Sequence, residues 1–226
     1  MEILEETLAP KYDLEVDRAY IITIKGHELS ERLAARCLKS CNKVGQKAEI
    51  FDAFDGTDST ISGIKVPEHC RDATWLKWIR LVNHELTKPE VCCVLSHFAL
   101  WCKCMELNKP IIILEHDAIM LQPFTEHPAI NAIVYLGCIE QVRSNFWNMI
   151  PPHAQLNPDY RHLLRTHAYS IDPFMAKNLV SMIIEKGIFT SPDVQISLNK
   201  FAMLSFGIFA MDMPDKTTIP EKGKVK

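Results

Sequence analysis

Residues Ala19-Tyr20-Ile21-Ile22-Thr23-Ile24 form an unbroken apolar and β-branched run that breaks at Lys25-Gly26, which predicts a buried strand. From residue 29 to 44 the apolar positions move to helical spacing, with Leu33, Ala34, Cys37, Leu38 and Cys41 on one face and Gly45 as the stop. Ala48-Glu49-Ile50-Phe51 predicts a second strand, which runs into the turn chemistry of Asp55-Gly56. Strand, helix, strand is the opening of a parallel α/β sheet. Residues 57–88 are irregular and carry Trp75 and Trp78, as a long excursion over a site would. Residues 89–107 predict a helix with Leu95, Phe98, Ala99, Cys102 and Met105 on one face, and residues 110–114 a strand apolar on both sides. Strands are expected again at 131–136 and 167–171. Asp172-Pro173 opens a helix to residue 184, Ser191-Pro192 repeats that start signal, and residues 201–211 read as a strand or hairpin.

Composition narrows the class. The chain has 226 residues, 47% of them hydrophobic and 23% charged, enough to build a core without disulfide staples. Its eight cysteines, several inside apolar runs, therefore read as reduced, buried thiols of a cytoplasmic protein. A formal charge of −3 gives no field that attracts polyanions, and no apolar run reaches the length of a membrane span. The first 17 residues are acidic and lack a signal peptide's basic start. The expected organisation is an N-terminal extension over 1–18, one domain over 19–211 and a polar tail over 212–226, with the oligomeric state left open.

The segment richest in chemistry is Ile111-Ile112-Ile113-Leu114-Glu115-His116-Asp117, an apolar strand ending in acid, any residue, acid. Strand alternation places Glu115 and Asp117 on one face and His116 on the other. Ligands of open parallel sheets bind beyond the carboxyl ends of the strands, where two carboxylates suit a hard divalent cation. The alternative for the same pattern is a solvated strand end. No dinucleotide fingerprint, P-loop or nucleophile elbow occurs. Cys92-Cys93 with Cys102-x-Cys104 lacks the Cys-x-x-Cys spacing of a zinc site, and side chains at i and i+2 of a helix diverge.

The acidic segment has company. Pro89-Glu90-Val91-Cys92-Cys93-Val94-Leu95-Ser96-His97, then Trp101, then Ile112-Ile113-Leu114-Glu115-His116-Asp117 resembles the central block of glycosyltransferase family 25, the lipopolysaccharide and procollagen galactosyltransferase group. Further pieces follow in the family's order: Tyr20–Ile24 with Arg32, Ala53-Phe54-Asp55-Gly56, Tyr135-Leu136-Gly137, Ala168-Tyr169-Ser170-Ile171 with Ala176 and Leu179, and Pro192-Asp193. Thr23-Ile24 stands where the family has Asn-Leu, Cys92 where it has Gly, and His116 where it has the middle Asp.

The resemblance implies a GT-A fold, a nucleotide-binding α/β sandwich around a mostly parallel sheet, and inverting transfer from a nucleotide-sugar of the UDP-sugar type. It implies Mn²⁺ or Mg²⁺ held by Asp117, with Glu115 touching metal or ribose, and Asp193 as the base for the acceptor hydroxyl. Thr23, Arg32, Asp55, Gly56, Ser96 and His97 are then expected around the donor. The acceptor is a glycan or another hydroxyl-bearing molecule, a modified DNA base being a minor alternative. A second reading is a catalytically silent protein of the same fold that binds a nucleotide or a partner.

Overall fold

The computed structural model describes residues 13–56, 64–139, 166–196 and 201–212. Its strands are β1 (Ala19–Thr23), β2 (Ala48–Asp52), β3 (Ile111–Glu115), β4 (Ala118–Met120), β5 (Ala132–Ile139), β6 (Ala168–Ile171) and β7 (Ala202–Asp212). Its α-helices are α1 (Glu28–Val44), α2 (Lys88–Leu107), α3 (Pro173–Lys186) and α4 (Pro192–Gln195). The strands form a single sheet in the order β2-β1-β3-β6-β5-β7-β4. β1 pairs in parallel with β2 and β3, and β5 with β7, while β6 runs against β3 and β5, and β4 against β7. Five strands therefore share one direction and β4 and β6 oppose it, which is the mostly parallel α/β sandwich expected from the sequence.

Alternation along the strands assigns the two faces. Ala19 and Ile21 of β1 and Ile112 and Leu114 of β3 pack with Ala34, Cys37 and Cys41 of α1. Tyr20, Ile22, Ile111 and Ile113 face the other way, onto Val94, Phe98 and Trp101 of α2 and Leu179 and Ile183 of α3. The helix ends follow local chemistry. Gly45 closes α1 at φ 78°, a left-handed conformation that favours glycine. At the start of α2, Thr87 Oγ1 accepts from Glu90 N at 3.4 Å, and Glu90 Oε2 accepts from Thr87 N at 2.7 Å. That reciprocal cap starts the helix at Lys88, one residue ahead of the Pro89 start read from the sequence. Asp172 caps α3 by accepting from Phe174 N at 2.8 Å, and its other oxygen accepts from Ala132 N at 2.8 Å.

The described part of the excursion, residues 64–87, is less irregular than expected. It holds two short 3-10 turns, Glu68–Cys70 and Thr74–Lys77. Trp75 lies between Phe54 and Phe98, with ring centroids 6.1 and 4.9 Å away, and so anchors the excursion to the core. Trp78 is exposed. Upstream of β1, Val16 is buried and its N–H donates to Thr125 O at 2.9 Å. Among the described residues no helix is long and apolar enough to cross a membrane.

Candidate functional site

The carboxyl ends of β1, β2 and β3, the start of antiparallel β6 and the N-terminal half of α2 meet at one end of the sheet. Glu115 follows Ile111 and Ile113 in alternation and so faces α2. Its Oε1 accepts from Thr166 Oγ1 at 2.6 Å and lies 3.6 Å from His97 Nε2. Burial alone would raise the carboxyl pKa, but His97, Thr166 and His167 outweigh it and hold the group down at about 2, so Glu115 is ionised.

His97 is fully buried on α2. Its Nδ1 lies 2.8 Å from the Tyr169 hydroxyl, which also accepts from Trp101 Nε1 at 2.9 Å. The His97 and Tyr169 rings stack at 5.7 Å with 15° between planes. One helical turn earlier, Cys93 sits on the same helix face. Cys93 Sγ, a His97 ring nitrogen and a Glu115 oxygen all lie within 4.8 Å of one another.

Strand alternation stops at Glu115, because His116 and Asp117 form a turn. His116 Nδ1 is 3.2 Å from Ser30 Oγ on α1, so the residue that replaces the family's middle Asp is turned toward that helix. Asp117 feels the charges of Glu115, Asp212 and Arg36. Burial first, then Glu115 and Asp212, push its pKa up to about 7, and its Oδ1 is buried with no hydrogen-bond partner. Asp212 enters because β7 pairs it with Ala118, immediately after Asp117.

The other residues expected from sequence divide. Ser96 is buried and joins α2 to the chain after β2: it accepts from Phe54 N at 3.0 Å and donates to Cys92 O at 2.7 Å. Gly56 passes so close to α2 that a Cβ there would meet Cys92 Sγ at 2.8 Å. Asp55 pairs with Lys65 Nζ at 3.1 Å. Thr23 donates to Ile21 O at 3.0 Å, within its own strand. Asp193, in the first turn of α4, is near enough for its charge to help raise the Cys93 thiol, after burial and Glu115. Arg32 is exposed on α1, whereas the half-buried Arg36, one turn on, reaches the charge of Asp117. Arg36, Thr166 and Asp212 are site residues that the sequence did not single out, while Cys93 entered only among the α2 cysteines set aside for zinc and Tyr169 only within the Ala168–Ile171 resemblance. Lys88 adds an ammonium at the start of α2, buried without a hydrogen-bond partner.

Two cavities differ in character. A small one of about 70 Å³ lies at this end of the sheet, lined by residues that include Gly56, Cys93, Ser96, His97 and Glu115. A larger one of about 770 Å³ flanks β2, and its lining carries Glu49, Asp52, Glu68, Asp72 and Glu106 against Lys103. Size alone would favour the second, but that acidic lining repels a diphosphate, and the converging site groups stand at the first.

A central sheet that delivers carboxylates and an imidazole to the carboxyl ends of its parallel strands is built like a nucleotide-dependent transferase. The family model for glycosyltransferase family 25, described as LPS biosynthesis protein, matches residues 17–193, and the chain belongs to that family. It is a glycosyltransferase. No curated protein matches the chain.

Proposed function

We propose that the protein is an inverting, divalent-metal-dependent glycosyltransferase that moves a sugar from a UDP-sugar to an acceptor hydroxyl, at the end of the sheet where β1 and β3 finish. The carboxyl cluster of Glu115, Asp117 and Asp212 carries this reading. Burial, with repulsion from Glu115 and Asp212 added to it, pushes Asp117 up to about 7, and its buried Oδ1 has no hydrogen-bond partner. A hard cation with oxygen ligands would relieve both conditions, which supports Mn²⁺ or Mg²⁺ with Asp117 as the principal ligand and Glu115 on metal or ribose. Such an ion supplies charge stabilisation to the departing nucleoside diphosphate.

The chain's own groups do the rest. Lys88 and Arg36 offer positive charge to the donor phosphates, and both are better placed than the exposed Arg32. Gly56 lets the chain after β2 pass close against the start of α2, and Thr23, Asp55, Ser96 and His97 shape the donor side. Asp193 takes the proton of the acceptor hydroxyl as the sugar carbon is attacked, which a single displacement requires. The acidic cavity beside β2 speaks for a glycan or another neutral acceptor and against DNA. Seven described cysteines are free, as suits a reducing, cytoplasmic setting.

The test is donor hydrolysis and transfer with UDP-sugars and Mn²⁺. Asp117→Ala is expected to abolish metal-dependent turnover, and unchanged turnover would remove the metal assignment. Asp193→Asn is expected to keep donor binding by calorimetry while transfer falls by ~10²-fold or more. Loss of donor binding instead would move Asp193 into the nucleotide shell. Tight UDP binding with no turnover on any acceptor would leave a nucleotide-binding protein.

A further inference from the structure

Among the described residues the Cys93, His97 and Glu115 cluster is the closest-set group of metal-ligating side chains. It differs in chemistry from the all-oxygen set of Glu115, Asp117 and Asp212. A thiol, an imidazole and a carboxylate are the donor types of a borderline cation such as Zn²⁺, whereas Mg²⁺ and Mn²⁺ prefer oxygen. A site built only from the cysteines of α2 fails on spacing. Cys93 and His97, four residues apart, share a helix face, and the third ligand comes from a different element, the end of β3.

The distances suit an ion. His97 Nε2 and Glu115 Oε1 are 3.6 Å apart, too long for a hydrogen bond. Two ligands at about 2.0–2.2 Å on a tetrahedral ion stand roughly 3.3–3.5 Å from each other. The His97 Nε2 atom is buried without a hydrogen-bond partner and is aimed at this point. The supporting contacts are those of a metal-bound imidazole. Tyr169 Oη accepts from Trp101 and lies 2.8 Å from His97 Nδ1, and the tautomer that donates from Nδ1 to this oxygen is the one that carries its lone pair on Nε2, as a metal-bound imidazole requires. Thr166 fixes the Glu115 oxygen in the same way. The adjoining cavity of about 70 Å³ has room for an ion and a water on its open position.

We propose that Cys93, His97 and Glu115 form a Zn²⁺-class cation site beside the oxygen-ligand site, with a fourth position open to the small cavity. Because Glu115 belongs to both sets, zinc bound here withdraws Glu115 from the oxygen site.

Co²⁺ is the probe, because a thiolate ligand gives it a near-ultraviolet charge-transfer band and four-coordination gives intense visible bands. Titrating the full chain is expected to give both at one equivalent, with Zn²⁺ and not Mg²⁺ displacing them. Cys93→Ser is expected to abolish the charge-transfer band, and Cys41→Ser and Cys92→Ser to keep it. A band that survives Cys93→Ser, or that never forms, overturns the site. Alkylation of wild-type Cys93 by iodoacetamide, followed by mass spectrometry, needs no variant. Zn²⁺ at about ten times its dissociation constant leaves about a tenth of the protein free, so alkylation should slow about tenfold, and no slowing also overturns the site. Neither readout requires a donor sugar, so failure of the site and failure of the glycosyl-transfer reading are separately visible.

Discussion

Tyr169→Phe removes one oxygen from the centre of the site and nothing else. That oxygen accepts from Trp101 Nε1 at 2.9 Å and lies 2.8 Å from His97 Nδ1, and all three side chains are fully buried. The ring keeps its packing, including its stack on His97 at 5.7 Å, so the change acts through polar satisfaction. Trp101 Nε1–H and His97 Nδ1 each lose a buried partner, at a cost of about 1–3 kcal/mol per group. The two together come to about 2–6 kcal/mol, a large part of a domain stability of about 5–15 kcal/mol. With a urea slope of about 2–3 kcal/mol/M, the unfolding midpoint should fall by about 1–2 M. Urea titrations followed by tryptophan fluorescence and far-ultraviolet circular dichroism would measure it. A loss below about 0.5 kcal/mol would refute the reasoning, because it would mean the hydroxyl satisfies neither neighbour.

Two further predictions concern other parts of the sheet. His127 is fully buried, its ring nitrogens set 2.9 Å from Ser170 Oγ and 3.2 Å from Ala132 O, and burial lowers its pKa from 6.5 to about 4. The unfolded chain then takes up a proton before the folded one does, so stability is lost as pH falls from 6.5 toward 4, by about 3 kcal/mol in all. Urea unfolding at pH 7 and 4.5 should show a steeper acid loss in wild type than in His127→Gln, and parallel losses would exclude His127 as the cause. At Gly137 a Cβ would overlap the His167 imidazole, so Gly137→Ala should destabilise by about 1–3 kcal/mol in thermal melts; an unchanged melt would show that the ring moves aside freely.

Continuous apolar runs made β1 and β3 legible, since strands covered by helices on both faces need no polar side, and Gly45 marked the end of α1 and Asp172-Pro173 the start of α3. β4 was not legible. It is three residues long, and its partners on β7, Ala210 to Asp212, lie some ninety positions away along the chain. The same limit governed the site. Ser96, His97, Glu115, Tyr169 and Asp193 stand in motifs, but that Tyr169 and Thr166 reach His97 and Glu115 follows only from β6 inserting antiparallel between β3 and β5. Alternation gave Glu115 its face correctly and then ended one residue later, where the turn at His116 and Asp117 let each side chain follow its own partners. His116 went to Ser30 on α1, and Asp117 went to a cluster completed by Asp212 from the end of the chain's last described strand. That division bears on activity. His116, the position that departs from the family's acidic motif, meets Ser30 and lines the small cavity beside Glu115, so on the proposed reading Glu115, Asp117 and Asp212 remain as the oxygen ligands a divalent ion would use. The same turn leaves Glu115 on the α2 face, beside Cys93 and His97, while its charge still reaches Asp117.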